Sequence, residues 1–471
     1  MELDEYARYD AVGVRELIAT GRVSAAEIEE TARRALDAAN AVVNGLALPL
    51  FAPALEHADD GPFTGVPFLI KDSGPMAEGV PFFCGSRSIP GIRAPQDHAL
   101  MARFRAAGLV TLGLTTTPEM GISFATEPVK HGPTRNPWDP GRGVGGSSGG
   151  SAALVAAGAV PVAHGNDGAG SIRIPAACCG VVGLKPSRGR TPGGADVAGT
   201  VYEFALTRTV RDAAHLLDAV AGPAVGDRYA APPPAGPYAA ELGRDPGRLR
   251  VAVTAEAWSG AAVDPEVAAA ATRVGQVLAE LGHTVEAASP AVDWESAVQG
   301  QMGELVGIAA PFLMAPRQPD PAKLEAVSRA VLAWAKERSA LDLIAVFDAQ
   351  HRVSRSVAAF FTGYDLLVTP TIGQLPAPHG TLRQDDPDHT VDSWLRSILD
   401  YGPFTSPFNL TGQPAVSLPL AQSAGGLPIG VQLVAGYGRE DLLFRVAARL
   451  EEALPWQDRR PGLMARTPPR G

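Results

Sequence analysis

Gly145-Gly146-Ser147-Ser148-Gly149-Gly150-Ser151 opens the stretch 143–186, and a second glycine turn, Gly168-Ala169-Gly170-Ser171, follows about twenty residues later. Between the two turns, residues 152–162 are small and apolar, long enough for a helix and then a short buried strand. Glycine tolerates positive φ and lets backbone come close, so each turn can aim N–H groups and a hydroxyl at one point. An oxyanion hole is made in this way.

Outward from that stretch, helix and strand patterns alternate, which argues an α/β fold. Ser24-Ala25-Ala26-Glu27 reads as a capping box ahead of a helix over 28–39. Residues 65–70 are apolar and short, a buried strand that delivers Lys71 and Asp72 at its end. Helix over 97–108 and strand over 109–113 follow, and later helix over 209–221, strand over 249–254, helix over 265–281 and strand over 284–288. The Pro, Gly and Ala-rich run 222–247 reads as a connector within one unit. Residues 301–361 are mainly helical, 365–370 is strand into a proline loop, and the chain closes with strands over 415–420 and 429–435 and a helix over 439–454.

Net charge −10 argues against a nucleic-acid surface. The N-terminus is acidic, without the basic start and apolar run of a leader, and no stretch reaches the roughly 18 uncharged apolar residues of a membrane span, so cytoplasm is the default expectation. Cys84, Cys178 and Cys179 have no C-x-x-C spacing and read as small packed side chains. No histidine and carboxylate cluster has ligand spacing, so neither metal nor other cofactor is expected.

A serine hydroxyl needs a base to become a nucleophile near neutral pH. Nine histidines are present, but only His164 lies near the signature, and nothing in the sequence fixes a carboxylate behind it. Lysine serves instead where burial lowers its pKa. Only five lysines occur against 35 arginines, and Lys71 follows a buried strand, either as such a base or paired with Asp72. A rival pattern, Gly146-Ser147-Ser148-Gly149-Gly150, satisfies G-x-S-x-G and would make Ser148 the nucleophile with a downstream acid and histidine. A phosphate loop fails for want of a lysine after the glycines.

The run GGSSGGSAA over 145–153, GAGSIRIP over 168–175 and CGVVGLKP over 179–186 closely resembles the amidase signature family, and the likeness runs from the helical start through Lys71 to 426–436. The resemblance implies one domain over 1–471, with a signature core at about 60–200, a central twisted mixed β-sheet flanked by helices on both faces, and a helical cap at about 290–361. It implies Ser171 as nucleophile, Ser147 as relay on a cis peptide after Gly146, and neutral Lys71 as base. The N–H groups of Gly168, Ala169, Gly170 and Ser171 would face the oxyanion, Asp167 and Arg173 would brace the turn, and Ser148 would bond within the relay. Met120, Gly121 and Ile174 would touch substrate, with Ile122 and Phe124 either lining an apolar acyl site or packing in the core. A homodimer is implied as well.

The function expected is hydrolysis of a medium-sized apolar amide through an acyl-enzyme, with carbamates (urethanes) or aryl esters open to the same path. Thr117–Gly121 and the segment 281–286 resemble, more loosely, the bacterial branch acting on cyclic and linear amides of ω-amino acids. Two alternatives stand beside it: a glutamine amidase subunit of a transfer-RNA amidotransferase, disfavoured because that branch has glutamine where this chain has Ile174, and an inactive binding protein on the same fold.

Overall fold

The computed structural model describes residues 1–193, 196 and 198–465. Ten strands form one mixed sheet: Pro67–Lys71 (β1), Val110–Thr115 (β2), Val162–Asp167 (β3), Val182–Lys185 (β4), Tyr202–Thr207 (β5), Arg250–Val253 (β6), Thr284–Ala287 (β7), Leu366–Pro370 (β8), Ala415–Gln422 (β9) and Pro428–Ala435 (β10). Their spatial order is β2-β1-β3-β5-β4-β9-β10-β8-β6-β7. Pairing is parallel toward both edges and antiparallel through the middle, from β3 to β8. Strands covered on both faces read as continuous apolar runs, and every residue of β1, β8 and β10 is buried.

Two features of this topology place the chemistry. β1 and β3 are parallel neighbours, with Phe68 opposite Val162, so Lys71 and Asp167 leave the sheet at the same end. β5 runs back antiparallel, with Tyr202 opposite Asp167 and Thr207 opposite Val162, so residue 208 emerges at the opposite end. Ligand sites of open α/β sheets sit outside the carboxyl ends of the strands.

Helices Ala25–Val43 (α1), Gly149–Ala156 (α2) and Arg173–Cys179 (α3) pack around the first half of the sheet. The expected capping box of α1 is only half formed: Ser24 Oγ accepts the Glu27 N–H, but the Glu27 carboxylate takes the Met1 ammonium at 2.7 Å instead of turning back. α2 is buried on every side. A Cβ at Gly149 would lie 2.2 Å from Thr126 Oγ1, and one at Gly150 would lie 2.4 Å from Thr116 Oγ1. These two glycines let a helix approach its neighbours closely.

The connector 222–247 is tied down, since the N–H groups of Tyr238 and Ala239 both donate to the Asp218 carboxylate. The helical region is Trp294–Met314 (α4), Ala326–Lys336 (α5) and Ala340–Phe360 (α6). Among the described residues no helix is long and apolar enough to cross a membrane. The segment 281–286, taken as a pointer to substrate, lies instead at the far edge of the sheet, where His283 Nδ1 accepts the Leu249 N–H.

Leu433 is fully buried in β10, between β9 and β8. Leu433→Ala is expected to cost about 3 kcal/mol by leaving a cavity there. A clear fall in the urea midpoint with native far-ultraviolet dichroism would show it, and an unchanged midpoint would contradict this packing.

Candidate active site

β1 carries Lys71 to the end of the sheet fully buried. Its Nζ stands 2.6 Å from Ser147 Oγ and 2.5 Å from Asn166 Oδ1. Asn166, on β3, is held in turn by donating to Ser73 Oγ at 3.1 Å. Burial brings the Lys71 pKa down to about 7, against the pull of Glu203, Asp167 and Glu304. The alternative pairing of Lys71 with Asp72 is not formed. Asp72 accepts instead from the N–H groups of Phe83 and Gly85, at 2.7 and 3.0 Å, and burial pushes its carboxyl up to about 6.

The peptide between Gly146 and Ser147 is cis, as the resemblance implied. Gly121, at φ +73°, passes so close that an added Cβ would sit 3.6 Å from Ser147 Oγ. Ser148 differs from expectation. Its side chain is fully buried and donates to the Asn166 carbonyl at 3.2 Å, and its N–H donates to the Ser171 carbonyl, so it supports both turns without joining Lys71 and Ser147. A buried hydroxyl committed to a carbonyl also removes the G-x-S-x-G reading.

In the second turn, the N–H groups of Gly168, Ala169, Gly170 and Ser171 find no acceptor among the described residues. The carbonyls of Gly168 and Ala169 are pinned from behind by Gln301 Nε2 at 3.1 Å and Thr405 Oγ1 at 2.6 Å. Gly170 lies at φ +144°, and a Cβ there would meet Thr405 Oγ1 at 2.4 Å, whereas Ala169 stands at an ordinary negative φ and loses nothing by carrying a methyl. Ser147 and Ser171 line one cavity, and no hydrogen bond joins their hydroxyls among the described residues.

Asp167 and Arg173 brace this turn as an ion pair with no exposure on either side. Asp167 Oδ2 accepts the Ile172 N–H and Arg173 Nε, at 3.1 and 3.0 Å. Burial works against the Asp167 charge, but Arg173 and Asn409 hold its carboxyl down at about 2.

His164 is fully buried and does meet a carboxylate: its Nε2 lies 2.6 Å from Glu203 Oε2. Burial lowers its pKa and Glu203 opposes that, while neither ring nitrogen reaches a serine of the turns. It stands behind Lys71.

The cavity holds about 500 Å³. Met76, Ile89, Leu100, Met120, Ile308 and Phe312 give it apolar walls, and Cys84, expected in the core, lines it too. Ile122, Phe124 and Ile174 are not at its surface. Ile174 is fully buried, its Cδ1 packed beneath Gly170 and Gly402, so it shapes the turn from below instead of touching a ligand. The cap reduces to α4 and the residues after it, through Pro319, while α6 packs behind α4.

α4 also supplies a group the sequence did not disclose. Glu304 faces the cavity so closely that a Cβ at Gly168 would overlap its carboxylate, and Gln301 donates to it. Burial, with Asp196 and Asp167 adding their charge, pushes Glu304 up to about 8.

The family model described as Amidase matches residues 22–444. The chain belongs to the amidase family. A 6-aminohexanoate-cyclic-dimer hydrolase of Paenarthrobacter ureafaciens is 41% identical over 97% of each chain, and an acylamidase of Rhodococcus erythropolis is 34% identical over 94% of this chain and 95% of its own. A solved structure of 6-aminohexanoate cyclic dimer hydrolase complexed with substrate matches with a TM-score of 0.90 at 40% identity, covering 97% of this chain and 99% of that one. The protein is an amide-cleaving hydrolase.

In this amidase the support of the turn is fully legible in donors and acceptors. All five Arg173 N–H groups are used: two on Asp167, two from Nη1 on the Thr405 carbonyl and Gln432 Oε1, and one on Asn409 Oδ1. Arg173→Met would strand a buried carboxylate, a loss of about 3 to 5 kcal/mol, and Arg173→Lys lacks the donors to replace the fork. Both variants are expected to unfold at lower denaturant and to lose amide hydrolysis. Wild-type stability in Arg173→Met would show that the pair does not hold the turn.

Proposed function

We propose that this amidase cleaves its substrate through an acyl-enzyme on Ser171, with Ser147 and neutral Lys71 as the proton relay. The reading rests on Lys71 Nζ lying 2.6 Å from Ser147 Oγ in a buried site with no carboxylate bonded to the amine. Ser171 Oγ attacks the acyl carbon as its proton passes to Ser147 Oγ and the Ser147 proton passes to Nζ. The carbonyl oxygen takes the electron pair and meets the free N–H groups of Gly168 to Ser171, each worth roughly 3 kcal/mol. Collapse breaks the C–N bond, and the relay runs backward to protonate the leaving nitrogen. Water then repeats the sequence on the ester and frees Ser171.

We infer a medium-sized, largely apolar acyl or amine portion, because the walls are Met76, Ile89, Leu100, Met120, Ile308 and Phe312. A cyclic or linear amide of an ω-amino acid is the first substrate to offer, since the relative at 41% identity is a 6-aminohexanoate-cyclic-dimer hydrolase. N-aryl carbamates and aryl esters fit the same acyl-enzyme path and the same walls.

Hydrolysis of a matched set, an ω-amino acid cyclic dimer, an aliphatic primary amide, an anilide, an N-aryl carbamate and an aryl ester, tests this beside Ser171→Ala. Turnover of the bulky members should exceed that of the small amide. Ser171→Ala should fall by at least about 10⁴-fold and Ser147→Ala by about 10² to 10⁴-fold. Retained activity in Ser171→Ala would refute the nucleophile.

The relay also sets a pH profile. Lys71 acts only when neutral, so kcat/KM should rise through about pH 7 and fall as protons return below it. Glu203 is the carboxylate that pulls hardest toward the charged amine, so Glu203→Gln should move the acid limb to lower pH. A rate flat into mildly acidic pH, or an acid limb that moves upward in that variant, would count against Lys71 as the base.

A further inference from the structure

At the end of the sheet opposite Ser171, where β5 hands over to residue 208, lies a second cavity of about 830 Å³. Five arginines line it, Arg8, Arg208, Arg211, Arg459 and Arg460, against two carboxylates, Asp10 and Asp458. In a chain of net charge −10 such a concentration of guanidinium groups demands a physical account.

Part of it is internal. Arg211 forms a two-pronged pair with Asp10, both contacts at 2.6 Å, and Arg459 donates to the carbonyls of Leu454 and Pro455. Ala156, Cys179 and Gly180, at the C-terminal ends of α2 and α3, also reach the cavity, where carbonyls favour cations. The Cys179 carbonyl, however, is already taken by Trp138 Nε1 at 2.8 Å.

What remains is unbalanced. Arg208 is only 8% exposed, yet among the described residues just one of its nitrogens, Nη1, has an acceptor, the Ala7 carbonyl, while Nε and Nη2 have none. Among the described residues the Arg8 and Arg460 side chains make no hydrogen bond or ion pair, although Asp458 offsets part of the Arg460 charge. The guanidinium groups also work against one another: after burial, the charge of Arg460 is the next influence lowering the Arg208 pKa, and Arg8 acts the same way on Arg460. Asp212 and Asp10 pull the other way on Arg208, but Asp10 is already paired with Arg211, burial and the charge of Asp10 push Asp212 up to about 8, and burial pushes Glu451 up to about 7. A buried guanidinium with idle donors among like charges is costly unless an anion supplies acceptors.

We propose that this cavity binds a compact multivalent anion bearing phosphate or carboxylate groups, held by Arg208 and Arg460 with Arg8 at the rim. Planar guanidinium forks match both oxyanion types with paired, charge-assisted hydrogen bonds. The site is independent of catalysis in position, separated from Ser171 by the whole length of β5.

Calorimetric titration of the full chain with sodium pyrophosphate and, separately, sodium citrate at fixed ionic strength tests it, with sodium chloride as the monovalent arm. Saturable one-to-one binding of pyrophosphate assigns the phosphate source, and of citrate the carboxylate source. Arg460→Ala and Arg8→Ala, both away from the catalytic turns, should each weaken binding at least about tenfold while amide hydrolysis stays at the wild-type rate. Arg208→Met should abolish binding, and the other two variants keep the test open if that one fails to fold. No saturable heat from either anion at millimolar concentration overturns the proposal, as does binding that survives unchanged in Arg460→Ala and Arg8→Ala.

Discussion

The ion pair between Asp167 and Arg173 is the contact on which the site's shape depends. A carboxylate and a guanidinium out of water are tolerable only when every donor and acceptor is used, and here they are used by groups from across the fold. Asp167 comes from the end of β3 and Arg173 from the first turn of α3. The partners Thr405, Asn409 and Gln432 come from more than 200 residues downstream. The short loop between β3 and α3 is thereby fixed at both ends, with the Gly168 and Ala169 carbonyls held by Gln301 and Thr405 while the N–H groups of Gly168 to Ser171 find no acceptor among the described residues. Gln432 is itself held by Thr369 Oγ1 and the Phe404 carbonyl, so β8 and β10 are tied into the same network.

Lys71 depends on that arrangement for its chemistry. Its amine touches two neutral oxygens, from Ser147 and Asn166, and no carboxylate. Three acids nevertheless surround it at longer range, Glu203, Asp167 and Glu304. Each is occupied or muted: Glu203 is paired with His164, Asp167 with Arg173, and Glu304 is pushed up to about 8 by its burial and the neighbouring acids. Desolvation therefore prevails over attraction and brings the Lys71 pKa down to about 7. Direct pairing with Asp72 would have reversed this, and the N–H groups of Phe83 and Gly85 prevent it by claiming that carboxylate.

How much of this could be read from the residues follows from how far apart the interacting groups lie in sequence. Seven of the ten strands (β1, β2 and β6 to β10), the buried end of β1 and the two serine turns were legible because periodicity and glycine spacing are local signals, whereas β4 and β5 were not read as strands and β3 begins only at Val162, where the expected strand ended. Asp167 and Arg173 were legible through the resemblance. Gln432 left only a trace, a polar side chain inside the apolar run of β10, and Glu304 left none, because a glutamate on an amphipathic helix ordinarily faces water. Ile174 was misplaced for a related reason. The resemblance put it against substrate, as an apolar residue beside Ser171, but α3 points that side chain beneath Gly170, where Gly402 leaves room for it. Glu203 was invisible behind His164 because the antiparallel return of β5 alone brings them together.

The same distinction separates reaction from selectivity. Every group assigned to bond making comes from 71 to 171, on strand ends and turns that the sheet holds rigidly. The walls come from elsewhere: Met76, Ile89 and Leu100 from segments after β1, Ile308 and Phe312 from α4. α4 carries both wall residues and Gln301, whose amide pins the Gly168 carbonyl while its oxygen accepts from Ser406. A substitution that shifts α4 to widen the cavity thus also loosens the Gly168 turn that Gln301 holds. Changes of selectivity in this chain are easiest at Ile89 and Leu100, which line the cavity from outside α4 and do not hold the turn.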